Sequence, residues 1–461
     1  MTAVERSTVA PAVAGWIRAL AGAAPRTAST IAVTMATAIS LAPSLLPRGA
    51  AAQAVLTGVF VTLGLACAAV WHRLASARSC AQPPARRTRA ALYGVVLVGC
   101  AVTQAHRWQT ELRTAMGVDS VGTGHWLAVL TGAAAIAVGI VGAGRLVATA
   151  IRRAGTRRFV AATVVTVTTA AGWAVPASAT HLAHADRSHD AIAVVAEPGP
   201  DSAAMSGGPG SLTPWATLGT HGRRFVTAPA RESVVRTYVG LDAAPDLDSR
   251  IDLAVRELDR AGGFDKGHLV VSVPTGSGWI DAAAVEGLEQ RFDGDVAEVA
   301  VQYSAAPSWV TYVFDRRAAE QSARALYGAV VERAARLSPE RRPRVYLYGQ
   351  SLGAIGAAAA IGSAGSPCGA VFAGPPAAGV PRAGATVLAN TSDPVVWWSP
   401  RLLVQPPDLD AARVDAPVPP WLPLISFVQT TVELLVSLDA PAGHGHRYGA
   451  DQGTAMPGCD S

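Results

Sequence analysis

The chain has 461 residues, of which 50% are hydrophobic and 15% are charged, and its net charge is +5. An ordinary soluble domain carries about 25% charged residues, so this deficit indicates that lipid replaces water around part of the chain. All basic residues except Lys266 are arginines, and they form short clusters between apolar runs without interleaved aromatic residues. That pattern argues against a nucleic-acid partner and is typical of the loops that orient membrane helices.

The cysteines and histidines predict no metal site and no cofactor. The five cysteines include no Cys-x-x-Cys pair, which excludes the usual zinc and thioredoxin-like motifs. His181, His184 and His189 fit no standard zinc-ligand spacing and are interpreted as solvated side chains. Cys368 and Cys459 both lie in the C-terminal half and are predicted to pair if that half is in an oxidising compartment.

The N-terminal region, residues 1–180, contains five apolar segments close to the about 17–25 residues needed to cross a bilayer. These segments span residues 28–46, 50–71, 90–106, 126–151 and 159–175. The first is the weakest, because Pro43 and Pro47 stand near its end. We therefore predict an all-α transmembrane domain of about five helices, with membrane lipids as its partners.

Arginine clusters set the predicted orientation, because arginine-rich short loops remain in the cytoplasm. The clusters that follow the second and the fourth segments consist of Arg73, Arg78, Arg86, Arg87, Arg89, Arg152, Arg153, Arg157 and Arg158. The connection between the third and fourth segments balances its arginines, Arg107 and Arg113, against Glu111 and Asp119. The N-terminus is thus expected in the cytoplasm, and everything after Pro176 is expected outside, in a multi-pass protein of the cell membrane.

A linker and an α/β domain are predicted to follow. Residues 181–233 are assigned to the linker, because residues 198–214 are rich in Pro, Gly and Ser and typical of a flexible tether. From residue 234 to residue 461, apolar strand-like runs alternate with helical patterns. The predicted strands are 235–239, 268–273, 297–303, 344–348, 369–373 and 385–389, and the predicted helices are 249–260, 282–292, 318–337 and 351–361. This alternation predicts a mostly parallel sheet wrapped by helices.

One motif in this domain carries a chemical signal. The strand at 344–348 runs directly into Gly349-Gln350-Ser351-Leu352-Gly353 and then into a helix. This is the G-x-S-x-G pattern in the strand–turn–helix context in which a serine nucleophile is lifted clear of an α/β-hydrolase sheet. Ser351 is therefore predicted to be the nucleophile; the alternative is an ordinary tight turn.

A serine nucleophile needs a base and an orienting carboxylate, which follow it along the chain in the order acid and then histidine. Asp393, just after the strand at 385–389, is the predicted acid; Asp408, Asp410 and Asp415 compete but lie farther from any strand. Only two histidines follow Asp393, and they are His444 and His446. His446 is favoured as the base because Arg447 and Tyr448 would anchor its loop, and His444 stays the alternative.

An oxyanion hole requires two backbone N–H donors. One is expected from Leu352, the residue after the nucleophile, and the other from Thr275 or Gly276 in the Gly-rich loop that follows the strand at 268–273. The alternative is a simple left-handed turn. Residues 395–440 form an insert between acid and histidine, whose apolar run at 421–438 predicts either a lid or acyl-binding wall or a helix packed in the core.

In combination, several motifs resemble an actinobacterial family of membrane-anchored α/β-hydrolases. They are residues 43–48 (Pro-Ser-Leu-Leu-Pro-Arg), 107–109 (Arg-Trp-Gln), 238–242 (Tyr-Val-Gly-Leu-Asp), 275–279 (Thr-Gly-Ser-Gly-Trp), 349–353, 392–398 (Ser-Asp-Pro-Val-Val-Trp-Trp) and 443–446 (Gly-His-Gly-His). The resemblance implies a membrane-embedded N-terminal region followed by a Ser-Asp-His hydrolase domain, and it supplies no substrate.

These observations predict a membrane-anchored serine esterase or lipase that acts on ester or acyl-lipid substrates through an acyl-enzyme. Two alternatives remain open: an acyltransferase that uses the same three residues, and a transport or scaffold protein with an inactive hydrolase domain. No apolar segment has a charged residue in its middle, and an ion pathway through the membrane would need such residues, which argues against the transport alternative. The oligomeric state is left open.

Overall fold

The computed structural model of the chain describes residues 25–75, 83–154, 199–306, 308–381 and 384–459. The described residues fall into two compact units. The first contains the N-terminal helices and, from much later in the chain, Pro419–Gln429, and the second contains the remaining residues. Several predictions lie outside the described residues: the fifth apolar segment, the three histidines at 181, 184 and 189, and Arg78, Arg157 and Arg158.

The helices of the first unit are α1 (Thr27–Ser40), α2 (Ala50–Ala75), α3 (Pro84–Ala115) and α4 (Thr123–Ala154). Among the described residues, three helices, α2 to α4, are long and apolar enough to cross a membrane. The predicted first span is a helix of only 14 residues. It ends at Ser40, before Pro43 and Pro47, which lack the N–H that a continuing helix requires. The prediction of about five membrane helices is therefore not confirmed, since three candidates are found.

Helix α3 differs from the predicted 90–106 span because it has 32 residues. At 1.5 Å per residue it rises about 48 Å, more than the ~30 Å hydrocarbon thickness, so its polar ends extend beyond the apolar part. Arg86, Arg87 and Arg89 lie in its first turns and Arg107 and Arg113 in its last turns. These arginines were expected in loops, but arginine is a good helix former and continues the helix.

Small residues and a buried polar cluster connect the helices and loops of the first unit. A Cβ on Gly58 would lie 2.8 Å from the Ile136 side chain, so glycine permits the close approach of α2 and α4. The Arg48 N–H donates to Gln109 Oε1 (3.0 Å), and Gln109 Nε2 donates to Ser44 Oγ (2.8 Å). The motifs at 43–48 and 107–109 are thus in direct contact.

The second unit is built on a six-stranded sheet in which all neighbouring strands are parallel, as predicted. The strands are β1 (Val235–Val239), β2 (His268–Val273), β3 (Val296–Val301), β4 (Arg344–Gln350), β5 (Gly369–Ala373) and β6 (Thr386–Leu388), and their order in the sheet is β1-β3-β2-β4-β5-β6. Alternate residues of a strand face opposite sides, so Leu269 and Val271 belong to one hydrophobic core and Val270 to a second.

Helices cover both faces of this sheet. The helices that follow α4 along the chain are α5 (Gly219–Thr227), α6 (Leu247–Arg260), α7 (Ala282–Arg291), α8 (Ser308–Phe314), α9 (Arg316–Ala335), α10 (Leu352–Ala360), α11 (Pro394–Trp397), α12 (Ile425–Glu433) and α13 (Asp451–Thr454), and of these α12 begins in the first unit. Core residues of α6, α9 and α10 pack with Leu269, whereas those of α5 and α7 pack with Val270. The chain after β4 enters α10 directly, and this junction positions the predicted nucleophile.

The described part of the predicted linker is packed against the sheet, which differs from the flexible tether expected for residues 198–214. Met205 pairs with Arg236 of β1. The Glu257 carboxylate accepts hydrogen bonds from Ser211 Oγ and from the Leu212 N–H (2.7 Å). Burial disfavours the charged form of Glu257, but hydrogen bonds from Arg260 and Ser211 outweigh it and lower the pKa of this carboxyl. A buried carboxylate therefore orders a segment whose composition is typical of a tether.

Cys368 and Cys459 form a disulfide in the structure, with their Cα atoms 4.5 Å apart. Cys368 immediately precedes β5, and Cys459 lies after α13. The bond closes a sequence separation of 91 residues and joins the C-terminal segment to the sheet beside the strand that follows the nucleophile.

Candidate active site

Ser351 occupies a strained turn between β4 and α10. Its backbone angles are φ 56° and ψ −122°, a combination that a residue with a side chain adopts only when the surrounding structure holds it. The Ser351 N–H donates to the carbonyl of Ala373 at the end of β5 (2.8 Å). The strain and its support are those expected of a nucleophile held out from the sheet.

The two glycines of the motif are required by space. A Cβ on Gly349 would overlap the Gly353 carbonyl, and a Cβ on Gly353 would overlap the carbonyl of Val273. Side chains at either position would force β4, α10 and the end of β2 apart. The motif therefore brings the residues after β2 against the turn that carries Ser351.

Asp393 and His446 form a buried acid–base pair. The Nδ1 of His446 lies 2.7 Å from Asp393 Oδ2, and neither residue is appreciably exposed. Asp393 follows β6 and is the N-cap of α11, and its Oδ1 accepts the N–H of Val395 (2.8 Å). One carboxylate oxygen thus anchors Asp393 to its own helix while the other orients the imidazole.

Tyr448 is a further hydrogen-bond partner of the Asp393 carboxylate. Its hydroxyl donates to Asp393 Oδ2 (2.6 Å), and its ring stands edge-on to that of His446. Burial and the neighbouring charge of Asp393 raise the pKa of Tyr448 well above its usual value. The phenol therefore stays protonated and serves as a hydrogen-bond donor to Asp393 at any working pH.

His446 contacts the ends of β4 and β5. Its backbone carbonyl accepts a hydrogen bond from Gln350 Nε2 (3.0 Å), and its ring lies against Gly374. Gly374 follows Ala373, whose carbonyl accepts the Ser351 N–H. Within the described part of the chain, no direct hydrogen bond joins Ser351 and His446; both contact the short segment Ala373–Gly374 at the end of β5.

The alternative base, His444, pairs with a different carboxylate. His444 Nδ1 lies 3.1 Å from Asp415 Oδ2. Asp415 also accepts hydrogen bonds from the Ser392 N–H (3.0 Å) and Thr391 Oγ1 (3.1 Å), and a short one from Ser392 Oγ. Asp415, an alternative to Asp393 as the acid, therefore pairs with His444 and not with His446. The other two competing acids, Asp408 and Asp410, are exposed.

Two family models match the chain. A model described as an alpha/beta-hydrolase family matches residues 235–386 and 380–456, and a model of an alpha/beta-hydrolase family N-terminus matches residues 41–229. The chain belongs to this α/β-hydrolase family. No curated protein and no solved structure matches the chain. Membership indicates hydrolase-type activity, and the matched regions include the turn at Ser351 and helices α2 to α4.

The predicted oxyanion loop of this α/β-hydrolase lies against the nucleophile turn, but its amides are engaged. The Thr275 N–H donates to the carbonyl of Trp279 (2.9 Å), and the Gly276 N–H donates to Ser308 Oγ (3.1 Å). By contrast, Leu352 is the first residue of α10, where an N–H has no acceptor within the helix. Of the two loop amides, that of Gly276 is the more readily released, because a hydroxyl acceptor rotates while a backbone carbonyl is fixed.

Sequence reasoning missed several residues of the α/β-hydrolase site. Gln350 is the variable position of the motif, yet it binds the backbone of the histidine loop. Asn390 Nδ2 donates to the Gly445 carbonyl (2.9 Å) and so ties the acid loop to the same segment. Both contacts connect residues far apart in sequence, and no local pattern signals them. Among the described residues, no cluster of three or more possible metal ligands is present.

Proposed function

We propose that this α/β-hydrolase is a membrane-anchored serine hydrolase that cleaves carboxylic esters through an acyl-enzyme on Ser351. The observation that supports the proposal best is the strained turn at Ser351. The Ser351 N–H donates to the carbonyl of Ala373, and the ring of His446 lies against the next residue, Gly374. A backbone held at a positive φ is retained where a surrounding structure and a function require it.

In the proposed mechanism, His446 Nε2 takes the proton of Ser351 Oγ as that oxygen attacks the ester carbonyl. The resulting oxyanion accepts hydrogen bonds from the N–H of Leu352 and, after Ser308 rotates away, from that of Gly276. Collapse of the tetrahedral adduct breaks the ester C–O bond, and His446 protonates the departing alcohol. Asp393 holds the proton on Nδ1, so the basic lone pair stays on Nε2.

A water molecule activated by His446 then attacks the acyl-enzyme and releases the acid and free Ser351. An alcohol acceptor in place of water would give acyl transfer with the same residues. The apolar insert between Asp393 and His446 supports an acyl-lipid ester as the substrate, since residues 421–438 supply an apolar surface close in sequence to both members of the pair.

We further propose that the second unit is extracytoplasmic. The arginine clusters support this orientation, and the Cys368–Cys459 disulfide supports it independently, because disulfides persist in oxidising compartments. A C-terminal alkaline phosphatase fusion should be active in cells. An inactive phosphatase, together with an active cytoplasmic reporter at the same point, would overturn this orientation.

A fluorophosphonate probe tests the nucleophile. The wild-type protein should be labelled, and Ser351→Ala should lose both the labelling and the ester hydrolysis. Ser363→Ala is the matched control, since Ser363 is an exposed serine just after α10 and should retain both. Equal labelling of the Ser351 variant, or no labelling of the wild type, would refute the proposal and favour a scaffold role.

A further inference from the structure

Helix α12 has a polar face that is buried. Its buried side chains are Ser426, Gln429, Thr430 and Glu433. These positions are separated by three, four and seven residues and therefore form one stripe along the helix. A helix at the surface of a water-soluble domain buries an apolar stripe and exposes polar residues, so the polarity of α12 is inverted.

The outward side of the same segment is apolar. Leu424, Leu435 and Leu438 are 62%, 79% and 50% exposed, and Phe427 and Val428 are half-buried. Val428 and Leu435, seven residues apart in the helical segment Ile425–Val436, share one face of it. Large, contiguous apolar surface exposed to water is rare in soluble proteins. Either lipid or another protein must therefore cover this face.

One residue of the buried stripe, Gln429, makes contacts within the helical unit. Gln429 Nε2 donates to the carbonyl of Ile39 in α1 (2.6 Å), and Gln429 Oε1 accepts from Arg48 Nη2 (2.5 Å). Pro419–Gln429 belongs to the compact unit that also contains the three helices of membrane-spanning length. The first part of α12, up to Gln429, is thus an integral part of that unit.

We propose that α12 lies in the lipid of the bilayer, with its apolar face against acyl chains and Gln429 of its polar stripe turned toward α1 and Arg48. The apolar helical segment Ile425–Val436 rises about 18 Å at 1.5 Å per residue, short of the ~30 Å needed to cross. It is therefore an interfacial or re-entrant element. Trp421 precedes the segment, and Trp398 donates its Nε1–H to Thr431 Oγ1 in the middle of it (3.0 Å). Tryptophan side chains favour the lipid–water boundary.

The segment that contains α12 ends close to His446, so a lipid contact of α12 bears on how a substrate reaches His446. The segment ends near Ser437, whose carbonyl accepts the N–H of His446 (3.2 Å). If the proposed hydrolase function holds, on which this step rests, an acyl-lipid ester reaches His446 from the bilayer along α12. The substrate class is then an ester whose acyl chain is anchored in a membrane.

Quenching by lipids tests the lipid contact without reference to activity. The full-length protein, with Cys67, Cys80 and Cys100 replaced by alanine, receives a single cysteine through Leu435→Cys and is labelled with bimane. It is then reconstituted in phosphatidylcholine–phosphatidylglycerol vesicles with and without brominated acyl chains. Leu97→Cys, exposed on α3, is the positive control, and Leu212→Cys, exposed in the second unit, is the negative control.

We expect bromination to reduce the fluorescence at residue 435 at least twofold, as at residue 97, with little change at residue 212. Quenching at residue 435 no greater than at residue 212 would overturn the proposal. Bimane at residue 435 that is shielded from brominated lipid but self-quenches as the protein-to-lipid ratio rises would assign the face to a second copy of this chain, which also overturns it.

A charge on the same face tests the path of the substrate. Leu435→Lys should reduce turnover of a long-chain phospholipid ester in vesicles at least tenfold more than it reduces hydrolysis of a short water-soluble ester. Equal turnover of both esters by variant and wild type would overturn the path but not the lipid contact. If the wild type hydrolyses neither ester, the proposed function fails, whereas the quenching result still decides where α12 lies.

Discussion

The imidazole of His446 lies directly on Gly374, the residue that follows β5. A Cβ on Gly374 would lie 2.6 Å from His446 Cε1 and 2.8 Å from Nδ1. Gly374 also has a φ of 52°, so this position excludes a side chain by both space and backbone conformation. Because the preceding carbonyl accepts the Ser351 N–H, the same short segment contacts both the proposed nucleophile and the proposed base.

Gly374→Ala should displace the imidazole and lower kcat for ester hydrolysis about a hundredfold, since a shift of about 1 Å at a catalytic group has that effect. Gly384→Ala is the matched control. Gly384 has a φ of 76° but nothing within 4 Å of the added Cβ, so the variant carries the backbone strain without the collision. A Gly374 variant as active as the Gly384 variant would contradict the inferred contact.

Two single variants distinguish the roles of His444 and His446. His446→Ala should lower kcat by roughly three orders of magnitude or more, because mainly oxyanion-hole catalysis remains when a triad member is lost. His444→Ala should lower it on the order of ten- to a hundredfold, as for residues that support a catalytic group. Steady-state hydrolysis of a chromogenic ester measures both. An inactive His444 variant beside an active His446 variant would reverse the assignment.

Asp415 is expected to act through the loops that it joins. Its carboxylate accepts hydrogen bonds from residues next to Asp393 and from His444, two residues before His446. Asp415→Asn replaces one acceptor oxygen by a donor, so kcat should fall about tenfold while KM changes little. Exposed Asp410→Asn should leave kcat unchanged. An effect confined to the melting temperature would indicate a structural role alone.

Glu298 should make the stability of the protein depend on pH. It is buried in β3, burial raises its pKa to about 7 against the opposing charge of Arg236, and its Oε1 has no hydrogen-bond partner in the structure. Its folded pKa is higher than its unfolded value, so the folded state retains a proton that the unfolded chain loses. This stabilisation is complete below about pH 4.5 and is lost as pH rises toward about 7.

Glu298→Gln removes the ionisation. Relative to wild type, the variant should therefore gain stability between pH 4.5 and 7, by on the order of 3 kcal/mol at the upper end. Unfolding of the detergent-solubilised full-length chain, followed by tryptophan fluorescence across that pH range, measures the difference. Parallel pH profiles for the two proteins would show that Glu298 is ionised throughout.

The sharp turn at Ser351 could be predicted because the residues that it requires are neighbours in the sequence. The Ser351 turn needs two glycines, a strand before it and a helix after it, and all of these lie within a short stretch of sequence. The parallel sheet was predicted for a similar reason, since its buried strands are continuous apolar runs. The choice of histidine was predicted as His446, but on an anchoring argument that treated the loop as extended.

The structure gives the two histidines different partners. Gly443 and Gly445 have φ values of 86° and 55°, so the Gly-His-Gly-His segment is a turn, and its histidines face separate carboxylates. Side chains two apart would share a direction only in an extended chain. The pairing therefore depends on the left-handed glycines and on where the loops of Asp393 and Asp415 arrive, and no local pattern contains that information.

The sequence by itself determined the division into an apolar helical part and an α/β part, the order of the strands along the chain and the nucleophile turn. Each of these follows from composition, periodicity or a short motif. Only the tertiary structure decided that the apolar run at 421–438 contains a helix whose buried face is polar. Hydropathy sums over all sides of a helix, whereas the face that is buried depends on its neighbours, here Ile39 and Arg48, nearly four hundred residues away along the chain.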